Sequence, residues 1–342
     1  MIEFENFSKE IAKKAAVLNS KAYSLQNVTS NPSWLLHKHQ KNPDGSSLYV
    51  SLTENGVLKA HISIQKRLMS KSGEVAFANN PVDLVSLSPQ PMASLLLYRQ
   101  VQTRLNQDGE LAYHTSNPNS EIFYSKLLKK TPKLFLGMKV MLVSVPNSFR
   151  MARLVKFIFY PYKQFQKFFL MVFSRGSSLE LLSISSFTNR HFGEMGILDD
   201  NLFLKRDAER LNWRFSEDNP HQTYQRYLLV KQGQTVGYFV VTSITHQGIE
   251  GLAVVDFFCP KLKRSERVKI AYKLIQLSGS SNIIFSVVNF DSKISKFFHA
   301  FPFLGLPSRL QPQFFPIYLM NGTSKSSVDK EALMTLFDLD IL

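Results

Sequence analysis

One order of elements, met twice along the same chain, constrains the fold more than composition does. "WLLHKHQKNP" (34–43) starts on Trp34 and ends on Asn42-Pro43, and "NWRFSEDNP" (212–220) carries Trp213 and ends on Asn219-Pro220. Gly56 follows Pro43 at the same distance as Gly233 follows Pro220, and these are the only two tryptophans. Between proline and strand end lie "SLYVSLTENGVLKAHISI" and "TYQRYLLVKQGQTVGYFVVTSI". Each reads as two β-rich runs about a turn, with glycine where positive φ is needed. An apolar run follows in each half, ending in valine-aspartate and then a proline: "NNPVDLVSLSP" with Asp83 and "LAVVDFFCP" with Asp256.

The agreement continues. "PMASLLLYRQVQTRL" and "RSERVKIAYKLIQL" have helical apolar spacing. "LAYHTSN" and "IIFSVVN" are β-rich and end in Asn117 and Asn289. Short helices, "SEIFYSKLL" and "SKISKFFHA", then lead to last strands, "KVMLVSV" and "FPIYLM". Proline and glycine punctuation alone would be weak, since any α/β protein uses it. The shared order implies a tandem duplication of one α/β domain. The expected domains are residues 1–147 and 181–342, with 148–180 as a connector that fits neither copy. Fragments ending near 148 or starting near 178 are each expected to fold alone.

Composition narrows the class. A chain of 342 residues, 44% hydrophobic, can bury two cores. Cys259 is the only cysteine, which excludes internal disulfides and cysteine-rich metal sites. The start "MIEFENFSKEIAKKAAVLNS" lacks the basic and apolar regions of a signal peptide, and no run approaches the ~18 apolar residues of a spanning helix. A soluble, reducing, cytoplasmic location is expected. The net charge of +15 points to anionic partners. Residues 150–175 hold six basic residues (Arg150, Arg153, Lys156, Lys163, Lys167, Arg175) and no acidic one. Without an aromatic-and-basic signature or zinc-finger spacing, nucleic acid is not an expected partner.

With these motifs the chain resembles the GCN5-related N-acetyltransferase superfamily, in its tandem two-domain type. "WRFSEDNP", "YLLVKQGQTVGYFVV" and "LAVVDFFCP" carry the likeness, and "TSNPNSEIFYSKLL" is similar to the asparagine-to-tyrosine helix of that family. The resemblance implies two α/β domains, each a mixed, mainly antiparallel sheet flanked by helices. It also implies acyl-coenzyme A bound where two central strands splay, its pyrophosphate on backbone N–H groups at the next helix start. The resemblance further implies a link to bacterial surface polysaccharides, with whose building or decoration such tandem proteins are often associated. Both cofactor loops depart from the family pattern. "SLSPQPMASL" has Pro89 and Pro91 and no glycine, so the first copy is expected to have lost its site. "CPKLKRSERVKI" also lacks glycine but carries Lys261, Lys263, Arg264 and Arg267. Those cations either hold a pyrophosphate by side chain or form a solvated basic turn.

Acyl transfer to an amine needs a base for the amine proton and an acid for the leaving thiolate. Asp256 ends an apolar strand beside the expected splay, where burial would raise its pKa; the competing reading pairs it with the neighbouring strand's backbone. Asp83 has the same place in the first copy. Tyr124 matches the family's general acid, but lies in the copy with the degenerate loop, and a packed core tyrosine is the plainer reading. The second copy has Phe297 and Phe298 there. His37 and His39 are badly spaced for a metal pair, Cys259 has no evident base, and turn initiation accounts for Asn117 and Asn289.

In the connector, Arg150, Arg153 and Lys156 share a helical side, Pro161 interrupts, and Tyr162, Phe165, Phe168, Phe169, Val172 and Phe173 form a stripe. Such a segment either packs its apolar side between the domains, the favoured reading, or lies on an anionic membrane surface through 149–175. The function expected is an N-acyltransferase using acetyl-coenzyme A or another acyl-coenzyme A, without metal, on an amino sugar or similar polar amine. The alternative is a catalytically inactive relative that binds a ligand or protein at a membrane surface.

Overall fold

A computed structural model describes residues 1–23, 27–71, 74–87, 92–108, 111–115, 118–129, 131, 133–134, 136–144, 152–195, 203–217, 222–246, 249–259, 261–289, 297, 303–305 and 317–320. The chain forms two compact units. One comprises Met1–Phe135, Leu198–His221 and Phe315–Lys330; the other comprises Leu136–Ile197, Gln222–Phe314 and Glu331–Leu342.

The first unit runs β1 (Ile2–Asn6), α1 (Lys9–Ala22), α2 (Pro32–Gln40), β2 (Leu48–Glu54), β3 (Val57–Lys71), β4 (Glu74–Ser86), α3 (Met92–Asp108), β5 (Leu111–Thr115), α4 (Pro118–Leu127) and β6 (Lys133–Leu134). Local chemistry explains the helix starts. The Ser8 hydroxyl accepts the Ile11 N–H, and the Asn31 side chain accepts the Ser33 and Trp34 N–H groups ahead of a helix with Pro32 in its first turn. Along β3 the alternation is clean: Ala60, Ile62 and Ile64 join the core, while His61, Ser63, Gln65 and Arg67 are buried on the other face. Asn55 and Gly56 both have positive φ, as a tight hairpin turn requires, and Gln232 and Gly233 repeat this in the second unit.

The second unit runs β7 (Leu136–Leu142), α5 (Ala152–Ser174), β8 (Leu179–Ile184), α6 (Asn189–Met195), β9 (Tyr224–Lys231), β10 (Gln234–His246), β11 (Ile249–Phe258), α8 (Arg264–Ser278), β12 (Ile283–Asn289) and β13 (Leu304–Gly305). Here α7 (Ala208–Arg214) and β14 (Ile317–Met320), though late in sequence, belong to the first unit. The sheet orders are β1-β2-β3-β4-β5-β14-β6 and β8-β9-β10-β11-β12-β7-β13. Among the described residues each has seven strands, mainly antiparallel, with one parallel pair at its centre.

Position by position, the orders agree, and this corrects the expected last strands. "KVMLVSV" does not close the first copy: β7 pairs antiparallel with β12 from Leu136↔Asn289 to Leu142↔Ile283. "FPIYLM" does not close the second: β14 pairs with β5 from Ile317↔Thr115 to Met320↔Ala112. The two copies exchange their penultimate strands. Duplicated sheets present equivalent open edges, so a strand's alternation says which of its faces is buried and not which edge it joins.

The Trp213 segment is also reassigned. The Asp207 side chain caps α7 by accepting the Arg210 N–H at 2.9 Å, and Arg210 donates to Asp44 at 2.8 Å. Trp213 is buried in the first unit beside His37, with the Arg67 guanidinium 5.3 Å from its ring centroid. Asn219-Pro220 lies outside the described residues.

Two connector expectations change as well. α5 is one helix running through Pro161, although proline removes the N–H that the carbonyl four residues earlier would accept. Its phenylalanine stripe is not packed inward: Phe165 and Phe168 are exposed, and the fully buried described side chains are Gln166 and Leu170.

Candidate active site

In the second unit the strand carrying Asp256 parts from its parallel neighbour. β11 and β12 pair only from Gly251/Ile283 to Val254/Ser286. Past that point β11 stays with β10 to Phe258, and β12 stays with β7 to Asn289. The Ser286 hydroxyl donates to the Val254 carbonyl at 3.0 Å where the shared ladder ends. The resulting fork offers strand-edge N–H and C=O groups to any extended ligand with amides of its own.

A bulge at Val255 accompanies the fork: the β10–β11 register shifts between Val240, opposite Asp256, and Val241, opposite Val254. Val254, Phe257, Ile270 and Leu274 pack in the core on the α8 side. Asp256 is fully buried, and its Oδ2 accepts the Tyr238 hydroxyl at 2.7 Å. The Tyr238 ring in turn packs edge-on to Phe187, 5.3 Å between centroids, and against Phe192 of α6. A side chain of the adjacent strand thus holds the carboxylate.

Lys261, Lys263 and Arg264 are exposed at the start of α8, and Arg267 is half-buried. Sequence reasoning missed Glu266 among them. The Lys263 N–H donates to Glu266 Oε2 and the Lys231 ammonium donates to Oε1, each at 2.7 Å. Burial alone would raise the Glu266 pKa, but Lys231 and the Lys263 N–H outweigh it and hold the carboxyl below its usual range. The helix start therefore already carries an anion of its own. The signal was a glutamate three residues after the capping position, disguised by lysine where serine or threonine is usual. The buried Cys259 thiol donates to the Val236 carbonyl at 3.3 Å, and burial pushes its pKa up to about 12, which disfavours the thiolate.

The first unit has a matching fork that is spanned by a side chain. β4 and β5 pair only at Ala78/Leu111 and Asn79/Ala112. Beyond this, His114 of β5 is buried and its Nδ1–H donates to the Pro81 carbonyl of β4 at 2.9 Å. Burial holds the imidazole neutral, with a pKa lowered to about 3. Tyr124 packs on it, ring centroids 3.8 Å apart, and on Tyr98 at 5.0 Å. Burial, then Tyr98, pushes the Tyr124 pKa well above the usual phenol range. It is a core residue of the first unit, on α4, whereas Asp256 lies on β11 of the second unit.

Asp83 also sits at a bulge, with φ +54. Lys38 donates to its Oδ1 at 2.9 Å, and His39 Nε2 lies 2.8 Å from Oδ2, with His39 Nδ1 3.0 Å from the Ser47 hydroxyl. Burial would raise the Asp83 pKa, but Lys38 and His39 prevail and hold it far below the usual carboxylate range. His37 and His39 thus turn to different partners, and no group of three or more metal-ligating side chains occurs among the described residues. Phe297 stacks on Phe257 at 4.9 Å in the second unit's core. Phe298, Asn117, Pro89 and Pro91 lie outside the described residues, as does the Asn289 side chain.

No family model matches the sequence, and no curated protein does. Solved structures do match. A GCN5-related N-acetyltransferase from Anabaena variabilis superposes with a TM-score of 0.60 at 8% identity, over 93% of this chain and 72% of that one. A probable N-acyltransferase from Enterococcus faecalis gives 0.59 at 11% identity, over 94% and 73%. Saccharomyces cerevisiae N-myristoyltransferase, solved with bound myristoyl-CoA, gives 0.55 at 12% identity, over 100% and 86%. Two forked, seven-stranded sheets and these matches together identify the fold as that of the GCN5-related N-acetyltransferases, present twice in one chain.

Proposed function

We propose that the protein is an acyl-coenzyme A-dependent N-acyltransferase whose site is the fork between β11 and β12. The observation that carries this reading is the end of β11–β12 pairing at Val254/Ser286 while both strands continue. In such a fork the pantetheine amides pair with the parted strands, and the pyrophosphate meets Lys261, Lys263 and Arg264 at the exposed start of α8. Asp256, on the sheet face opposite α8, is the candidate base for the acceptor amine, acting beside Tyr238. The first fork, spanned by His114, is the one without cofactor. The acyl group is acetyl or a longer chain. The acceptor is a polar amine such as an amino sugar, as in surface polysaccharide assembly.

A second reading is favoured by Glu266. It takes up an N–H at the α8 start that a pyrophosphate would use, and the loop before it has no glycine. On that reading the chain is a non-catalytic binding module.

Calorimetric titration with acetyl-coenzyme A separates the two. Binding that weakens on the order of a hundredfold in the Lys263→Ala/Arg264→Ala variant is the expected result. Release of coenzyme A thiol with glucosamine as acceptor, lost in Asp256→Asn, would extend it to catalysis. A wild type that shows neither heat nor thermal shift supports the binding module.

A further inference from the structure

Helix α5 turns apolar residues outward. It packs against α8, and its fully buried described side chains are Leu170 and Gln166. Pro161, Phe165, Phe168 and Val172 recur at helical spacing of four, three and four, which places them on one stripe, and all are exposed. Phe165 and Phe168 are 63% and 61% exposed, and Phe173 beside them 54%. Phe169 bridges Phe165 and Phe173, with ring centroids 6.0 and 4.3 Å away. Scattered apolar side chains on a surface need no explanation, whereas a continuous aromatic ridge does.

Charge selects the occupant. Residues 150–175 contain six cations and no acid; Lys167 on the helix and Arg175 just past its end are exposed. A second copy docked face to face would set this cationic segment against itself. No described helix is long and apolar enough to cross a membrane. A cationic helix with an aromatic ridge and no capacity to span matches an interface that is apolar below and anionic above.

We propose that α5 docks the protein on an anionic lipid bilayer, lying in its plane with Phe165, Phe168 and Val172 inserted and its cations on lipid phosphates. This stands apart from the acyl-transfer reading and is tested without it. The full chain is sedimented with vesicles of phosphatidylcholine plus phosphatidylglycerol, and with phosphatidylcholine alone. Binding to the anionic vesicles only is the expected result. Phe165→Ser/Phe168→Ser should weaken it at least about tenfold. Lys167→Glu/Arg175→Glu should weaken it at least about a hundredfold. These side chains are exposed, so the melting curves of both variants should match the wild type, which separates lost docking from lost folding. Absence of sedimentation, or equal sedimentation of both variants and wild type, would overturn the proposal. So would a concentration-dependent dimer that the serine variant abolishes, without vesicle binding, because the ridge would then belong to a second copy.

Discussion

His37 and Trp213 hold each other by two reciprocal hydrogen bonds. The indole Nε1–H donates to the His37 carbonyl at 3.1 Å, and His37 Nε2 lies 2.9 Å from the Trp213 carbonyl. A carbonyl only accepts, so Nε2 carries the proton. The rings lie nearly parallel, 6.2 Å between centroids, with Trp34 stacked at 5.5 Å on the same imidazole. The two tryptophans that mark the repeat in sequence therefore share one histidine in the first unit.

Completion of the first unit by distant segments sets the first prediction. Trp213→Ala should destabilise it by about 3–5 kcal/mol, the usual cost of removing a buried aromatic. A fragment ending near residue 148 lacks both α7 and β14, and should show no cooperative thermal transition by circular dichroism. Co-expression with a fragment starting near 178 should restore one. A sharp melt of the first fragment alone would show that the exchanged strand is dispensable.

Glycine at 237 is required by close approach, not by φ. A β-carbon there would lie 2.3 Å from the Phe258 carbonyl oxygen and 2.7 Å from the Cys259 β-carbon. Because neither neighbour is a flexible side-chain end, Gly237→Ala should destabilise by about 2 kcal/mol or more. At Gly251 the added carbon would meet the edge of Phe285 at 3.1 Å, which can shift. Gly251→Ala should be the milder of the two in urea denaturation.

Acid should weaken the protein before its carboxylates titrate. Burial lowers the His61 pKa to about 4, and that of His114 to about 3. Lowered folded-state values mean that folding favours the neutral ring, so this stability is complete above the unfolded value of about 6.5 and is lost as pH falls below it. Each ring adds a slope of up to about 1.4 kcal/mol per pH unit between 6.5 and its folded value. Asp83 acts further down: its depressed pKa gives stability that fades as pH falls below about 4. In urea titrations across this range, His114→Asn should show a shallower pH dependence than the wild type. An unchanged slope would mean that His114 takes up its proton alike in the folded and unfolded states.

Cys259 should be silent to thiol reagents. With its thiol buried and pushed up to about 12, dithionitrobenzoate should react only at the rate of unfolding, and in full once urea is added. Fast native labelling would show that the strand end around Cys259 opens readily.

Particular residues show how far the sequence could be read. Asp83 and Asp256 were picked out as equivalent, and both sit at bulges on the strand that forks. Their partners were not legible: Lys38 and His39 hold one, and Tyr238 holds the other. Bulge and valine-aspartate are local patterns, but a partner is fixed by which side chain the register brings opposite. Glu266 was overlooked for the same reason, since its meaning depends on Lys231, thirty-five residues earlier.

Local patterns in the sequence account for the hairpin turns at Gly56 and Gly233, the strand and long helix that follow each of them, and the fold class, because periodicity and φ preference act over a few residues. Packing across the whole chain is what makes β7 and β14 change places, seats Trp213 in the first unit, and leaves Phe165 and Phe168 of α5 facing solvent. An amphipathic pattern states that one face differs from the other. Which edge a strand joins, and whether a greasy face turns inward, is settled by the competition among all faces for the same buried space.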